Sequence, residues 1–122
     1  MFAGRIVSIV DDDKSIREGL SNLLRSCEIT SYSFASAAEI LDSGRVHDSD
    51  CLIVDVGMPG MNGFELQDEL VSRGIDTPVI FMSAHKNQIA LRRVRVGQAV
   101  CFLEKPFSAL DIERCLRLAF LR

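Results

Sequence analysis

Four short apolar runs and one shorter, more polar β-prone stretch recur along the chain, and each hands over to polar residues and then to a stretch with different spacing. Arg5-Ile6-Val7-Ser8-Ile9-Val10 is rich in β-branched residues and stops at Asp11-Asp12-Asp13, which predicts a first strand. Lys14 to about Ser26 then carries Ile16, Leu20, Leu23 and Leu24 on one stripe, the spacing of an amphipathic helix. Thr30 to Phe34 reads as a short second strand, Ser36 as the cap of a helix to about Leu41 with Glu39 as its third residue, and Val46 to Asp50 as a polar loop. Cys51-Leu52-Ile53-Val54 is a continuous apolar run, the mark of a strand buried on both faces, and it delivers a single carboxylate, Asp55. Gly63 to Val71 follows as a helix ended by Gly74. Pro78 to Met82 predicts a fourth strand with Ser83 at its end, and Asn87 to Val96 a helix closed by Gly97. Ala99 to Leu103 predicts a fifth strand delivering Glu104-Lys105-Pro106. Ser108 caps a last helix, with Asp111 as its third residue and Ile112, Cys115, Leu116 and Ala119 inward. Repeated strand-helix units joined by right-handed crossovers predict an α/β fold, a parallel sheet with helices on both faces.

Length and composition narrow this without redirecting it. A chain of 122 residues is expected to form one domain, 1–122, with a core of its own. With 48% hydrophobic and 25% charged residues and a net charge of -3, nothing recommends direct nucleic-acid binding. The apolar runs are far shorter than the roughly 18 residues of a membrane helix, and Met1-Phe2-Ala3-Gly4-Arg5 lacks a signal-peptide layout, so a cytoplasmic location is expected. Cys27, Cys51, Cys101 and Cys115 form no CxxC pair and are expected as buried free thiols. His47 and His85 have no partner at zinc-ligand spacing.

The chemistry gathers where the strands end. In an open parallel sheet ligands sit beyond the carboxyl ends, and there stand Asp11, Asp12, Asp13, Asp55, Ser83 and Lys105. If the first and third strands are neighbours, Asp11, Asp12 and Asp55 crowd one cleft and repel unless a cation intervenes. A hard divalent ion such as Mg2+ suits such oxygens. Metal-binding acids, an unobstructed carboxylate, a lysine and a hydroxyl are the parts for moving a phosphoryl group onto Asp55. The competing reading makes Lys105 a simple partner of Asp55 and the triple Asp a solvated turn and helix cap.

In their order and spacing, Val10-Asp11-Asp12-Asp13, Val54-Asp55 with Met58-Pro59-Gly60-Met61-Asn62-Gly63, Met82-Ser83-Ala84-His85, and Gly97-Gln98-Ala99 leading to Phe102-Leu103-Glu104-Lys105-Pro106-Phe107 resemble the receiver domain of two-component response regulators. Within it they are most similar to receivers of the FixJ/NarL type. The resemblance implies a doubly wound, flavodoxin-like (βα)5 fold with strand order 2-1-3-4-5. It implies Asp55 as phospho-acceptor, Asp12, Asp55 and the Gly57 carbonyl as Mg2+ ligands, and Asp11 reaching the ion through water. It further implies Ser83 as switch hydroxyl, Lys105 as phosphate-binding lysine, Phe102 as the aromatic that turns inward, and a cis Lys105-Pro106 bond. A sensor histidine kinase would be the donor, a phosphorylation-dependent homodimer and a DNA-binding output domain beyond residue 122 would follow, and the fourth helix, fifth strand and last helix would form the responding face.

Other readings compete at particular residues. An aspartyl-phosphate hydrolase of the haloacid dehalogenase kind wants a second acid where Gly57 stands. A nucleotide or flavin binder wants a glycine-rich loop that the first strand lacks. A receiver-like module that dimerises without phosphorylation has no need of the intact acids, hydroxyl and lysine. His85 is either a residue over the phosphoryl group or an exposed loop histidine, and Lys86 stands where FixJ-type receivers often have glycine. Arg92, Arg93 and Arg95 form either a partner surface or a solvated basic face.

Overall fold

The apolar runs of the centre become strands because their β-branched and aromatic residues are covered on both sides, while the two outer strands are only partly covered. The computed structural model describes residues 2–121, with strands β1 (Ile6–Val10), β2 (Thr30–Phe34), β3 (Cys51–Asp55), β4 (Val79–Ser83) and β5 (Cys101–Glu104). All pairings are parallel and the order is β2-β1-β3-β4-β5. Helices α1 (Lys14–Ser26), α2 (Ala37–Ser43), α3 (Gly63–Ser72), α4 (Gln88–Arg95) and α5 (Ala109–Phe120) complete the crossovers. This is the expected flavodoxin-like arrangement. The segment expected as a polar loop contains a 3-10 turn, Arg45–Asp48, with Val46 buried.

The sheet separates two cores. Val7, Ile9, Ile53, Ile80 and Leu103 pack under α1 and α5, and Val10, Leu52, Val54, Val79 and Phe81 pack under the opposite helices. Alternation along β3 places its residues in both clusters, which is why its sequence shows no polar side. The caps read from the sequence, Ser36 and Ser108, are made, each accepting from the backbone three residues on, with a capping box between Ser108 and Asp111; Asn87, expected as the first residue of its helix, caps α4 in the same way. The Lys105-Pro106 peptide is cis, and every buried side-chain nitrogen and oxygen among the described residues has a hydrogen-bond partner.

Two readings change. The expectation of four free thiols is corrected: Cys101 and Cys115 form a disulfide, leaving Cys27 and Cys51 free. The fold itself causes this, because the α5 side of β5 meets the inner stripe of α5 and brings the two Cα atoms to 5.6 Å. The basic run on α4 is not one surface. Arg93 turns inward, donating to Gln67 Oε1 (2.7 Å) and Asp68 Oδ1 (3.0 Å), and its guanidinium lies 5.0 Å from the centre of the Phe64 ring. Gln67 donates in turn to the carbonyl of Gln98, so α4 is fastened to α3 while Arg92 and Arg95 stay exposed.

Gly63 opens α3 directly against the end of β3. A methyl on its Cα would stand 2.6 Å from the Asp55 carbonyl oxygen and 3.1 Å from both Val54 Cγ1 and Val56 Cα. Two of these atoms are backbone and cannot swing aside. Gly63→Ala is therefore expected to destabilise the fold by roughly 1–3 kcal/mol, the cost of overpacking, despite alanine's better helix propensity. A lower urea midpoint at unchanged slope would register it, and an unchanged midpoint would refute it.

Candidate functional site

Parallel pairing sets Val10 beside Val54, so the chain leaves β1 and β3 at the same level and presents Asp11 and Asp55 together. One oxygen each from Asp11, Asp12 and Asp55 lies within 4.8 Å of the others. Asp11 is completely buried, Asp55 is 8% exposed and Asp12 is open to solvent. From β5, Lys105 brings its ammonium to 2.9 Å from Asp11 Oδ2 and 3.2 Å from Asp55 Oδ1. A backbone hydrogen bond from the Lys105 N–H to the Ser83 carbonyl, 2.8 Å, fixes the start of that reach beside the end of β4.

The acidic run divides its work. Asp13 caps α1, its carboxylate accepting from the N–H groups of Ser15 and Ile16, so the helix-cap reading holds for this residue. Asp11 Oδ1 accepts from the Asp13 N–H at 2.8 Å and its other oxygen takes Lys105, so both its oxygens are engaged. Asp12 is left facing outward. The simple pairing of Lys105 is also real, but its shorter contact is with Asp11 and not Asp55.

Ser83 ends β4 half-buried, and its Oγ accepts from the His85 N–H at 3.3 Å. The structure thus puts it on the rim but bonded to its own loop. His85 itself is exposed. Gly57 is exposed, and a Cβ there would come no nearer than 3.9 Å to Asp55 Oδ2, leaving that flank of the carboxylate open. Phe102 is half-buried, paired in register with Phe81 and packed against the core under α3 and α4. One contributor was missed in the sequence: Arg17, a turn into α1, donates to the Asp11 carbonyl at 2.7 Å and braces the acidic turn. Its spacing from Asp11 matches no standard side-chain pair, so only the turn's path reveals it.

Burial raises the Asp55 carboxyl above the usual carboxylate range, the Asp11 charge adds to this, and Lys105 offsets part of it. Burial alone would lower Lys105, but the hydrogen bond and charge of Asp11, followed by those of Asp55, raise it on balance. One ammonium against three carboxylates leaves the cleft negative. A cluster of carboxylate oxygens with one acid exposed fits a hard divalent cation, with Asp12 and the Asp55 oxygen that Lys105 does not contact able to offer oxygens and Asp11 already occupied.

The family model described as the response regulator receiver domain matches residues 7–117. The chain is 41% identical over 107 residues to nodulation protein W of Bradyrhizobium diazoefficiens, covering 88% of this chain and 47% of that protein. It is 40% identical over 112 residues to the transcriptional regulatory protein FixJ of Azorhizobium caulinodans, covering 91% and 53%. The chain therefore spans about half the length of these curated relatives. Among solved structures, the response regulator StyR superposes with a TM-score of 0.87 at 36% identity, covering 98% of this chain and 60% of StyR. FixJ-N superposes with a TM-score of 0.83 at 28% identity, covering 97% and 94%. Among the described residues, no helix is long and apolar enough to cross a membrane.

Proposed function

We propose, for a chain that belongs to the response regulator receiver domain family and acts as a regulatory switch, that Asp55 accepts a phosphoryl group from the phosphohistidine of a sensor kinase. The observation that carries this is the convergence of Asp11, Asp12 and Asp55 on one point with Lys105 between two of them. The Asp55 carboxylate attacks phosphorus, the new O–P bond forms as the bond to the histidine nitrogen breaks, and the electron pair leaves with the imidazole. Lys105, already poised between carboxylates, turns its ammonium toward the incoming oxygens. Asp12, Asp55 and the Gly57 carbonyl would hold Mg2+, with Asp11 behind through water, and the ion would neutralise charge on the transferring oxygens. The open flank at Gly57 leaves room for the donor and later for the water that hydrolyses the acyl phosphate.

Ser83 is the hydroxyl that would exchange its contact with the His85 N–H for a phosphoryl oxygen. Its movement frees space for Phe102 to turn in, and the face of α4, β5 and α5 shifts toward its active arrangement. The phosphoryl group moves this equilibrium only as far as it prefers one form, so a basal active fraction exists without it. A homodimer through this face and a DNA-binding domain beyond residue 122 are the outputs we favour, supported by the greater length of the transcriptional regulatory protein FixJ. A cytoplasmic location accords with a cytoplasmic kinase domain as donor.

Incubation with acetyl phosphate and Mg2+ tests the reading by intact mass. One phosphoryl adduct is expected with the ion and little or none after chelation with EDTA. No adduct under either condition would overturn it in favour of a module that dimerises without phosphorylation.

A further inference from the structure

The mechanism leaves one reactive pair unused. Cys101 lies on the edge strand β5, immediately before Phe102, and Cys115 lies on the inner stripe of α5, fourteen residues later. Cys101 is half-buried, whereas Cys115 is 2% exposed and packed with Ile112, Leu116 and Ala119. β5 has a single strand neighbour, β4, so the cross-link is its covalent fastening on the helical side. The other two thiols are placed differently. Cys51 is fully buried in the central strand, where burial first and the Asp50 charge second hold its proton far above the ordinary range, and Cys27 sits at the end of α1. Composition gives no cysteine-dense scaffold, and a 122-residue chain with two cores does not need a staple to fold. In the reducing cytoplasm proposed above, a disulfide that the fold does not need would have the character of a reversible bond.

We propose that Cys101 and Cys115 are a reversible thiol-disulfide modification site, oxidised by a low-molecular-weight disulfide such as oxidised glutathione, that fastens β5 to α5. The accessible Cys101 thiolate attacks one sulfur of the small disulfide and expels a thiolate, leaving a mixed disulfide. The Cys115 thiolate then attacks the Cys101 sulfur and expels the second thiol. The protein loses two hydrogen atoms, and the small disulfide is reduced to two thiols. Cys115, too buried to meet a reagent first, acts as the resolving partner.

The consequence is mechanical. Oxidation ties the backbone beside Phe102 to the last helix, so the edge strand and α5 move as one body. The oxidised form thereby resists the rearrangement of the α4, β5 and α5 face that follows phosphorylation. This consequence rests on the switch reading of that face; the cross-link itself does not.

The test uses the full chain equilibrated with oxidised glutathione or with a phosphine reductant, then unfolded and alkylated with N-ethylmaleimide. Two alkylated cysteines are expected after oxidation and four after reduction, and Cys115→Ser is expected to hold one glutathione on Cys101. Four alkylated cysteines after oxidation would overturn the proposal. In wild type, α5 amides are expected to exchange about a hundredfold more slowly when oxidised, the size expected for closing a loop of this length. Equal rates in the two forms would remove the fastening. With acetyl phosphate and Mg2+, both forms are expected to gain the Asp55 adduct equally, while the phosphorylation-induced change in exchange across α4 and β5 is at least about tenfold smaller when oxidised. An equal change in both would overturn the mechanical consequence. Absence of the adduct in both would count against the phosphorylation reading and leave the thiol result standing.

Discussion

Asp55→Asn is expected to take up no phosphoryl group from acetyl phosphate and Mg2+, a fall of at least about a thousandfold, while becoming more stable than the wild type. The loss follows because an amide oxygen is a poor nucleophile and carries no charge for a cation. The gain follows from the site's electrostatics. Burial, then the Asp11 charge, raise the Asp55 carboxyl above its ordinary 3.8. An acid that holds its proton more tightly folded than unfolded costs stability once ionised, so the cost is present at neutral pH. It disappears as pH falls through the raised folded value toward the ordinary one. The amide, with no charge to bury, should raise the melting temperature by roughly 3–6 °C at pH 7, and the advantage should vanish near pH 4. Thermal melts across that range check it. A variant that loses uptake and melts lower at pH 7 would show that this carboxylate is not held against its environment.

Lys105→Ala should cut the initial rate of phosphoryl uptake by about a hundredfold, the usual consequence of removing one donor from a site of developing negative charge. It should also cost roughly 1–3 kcal/mol of stability, because the fully buried Asp11 loses its counter-charge. Both contacts are short and the Lys105 side chain is only 18% exposed, so solvent does not replace them well. The pH dependence separates this variant from the first. Lys105 is held above its ordinary 10.5, so its contribution is complete below that value and lost only as pH rises through the higher folded one. The stability difference between wild type and Lys105→Ala should therefore be flat from pH 7 to pH 9. Uptake within about twofold of wild type, at matched folded fraction, would exclude the lysine from the chemistry.

Much of this arrangement is legible in the residues alone. The central strands announce themselves because they are buried on both sides and so appear as apolar runs, β3 being the plainest case, whereas the edge strand β2 is polar and partly exposed. Helix starts at Ser36, Asn87 and Ser108 are legible because capping is local chemistry, settled within four residues. Asp11, Asp55 and Lys105 are legible as a group because a parallel sheet sends every strand's end to one rim. What escapes the sequence depends on orientation across space. Arg93 is one of three arginines with the same local surroundings, and only the position of α3 turns it inward. Cys101 and Cys115 look like core thiols until the last crossover faces them to each other. The preference of Lys105 for Asp11 over Asp55 is a matter of a few tenths of an ångström.

The double burial of the sheet constrains how news of an event at its rim can spread. β1, β3 and β4 are packed above and below, with almost every residue sealed, so the centre behaves as a stiff plate with no slack to give. Compliance is left to the two margins, β2 and β5, each with a single strand neighbour and less completely covered than the centre. A disturbance beginning over the middle strands must travel sideways to be felt, and Lys105, reaching in from the end of β5, ties it to that border of the molecule.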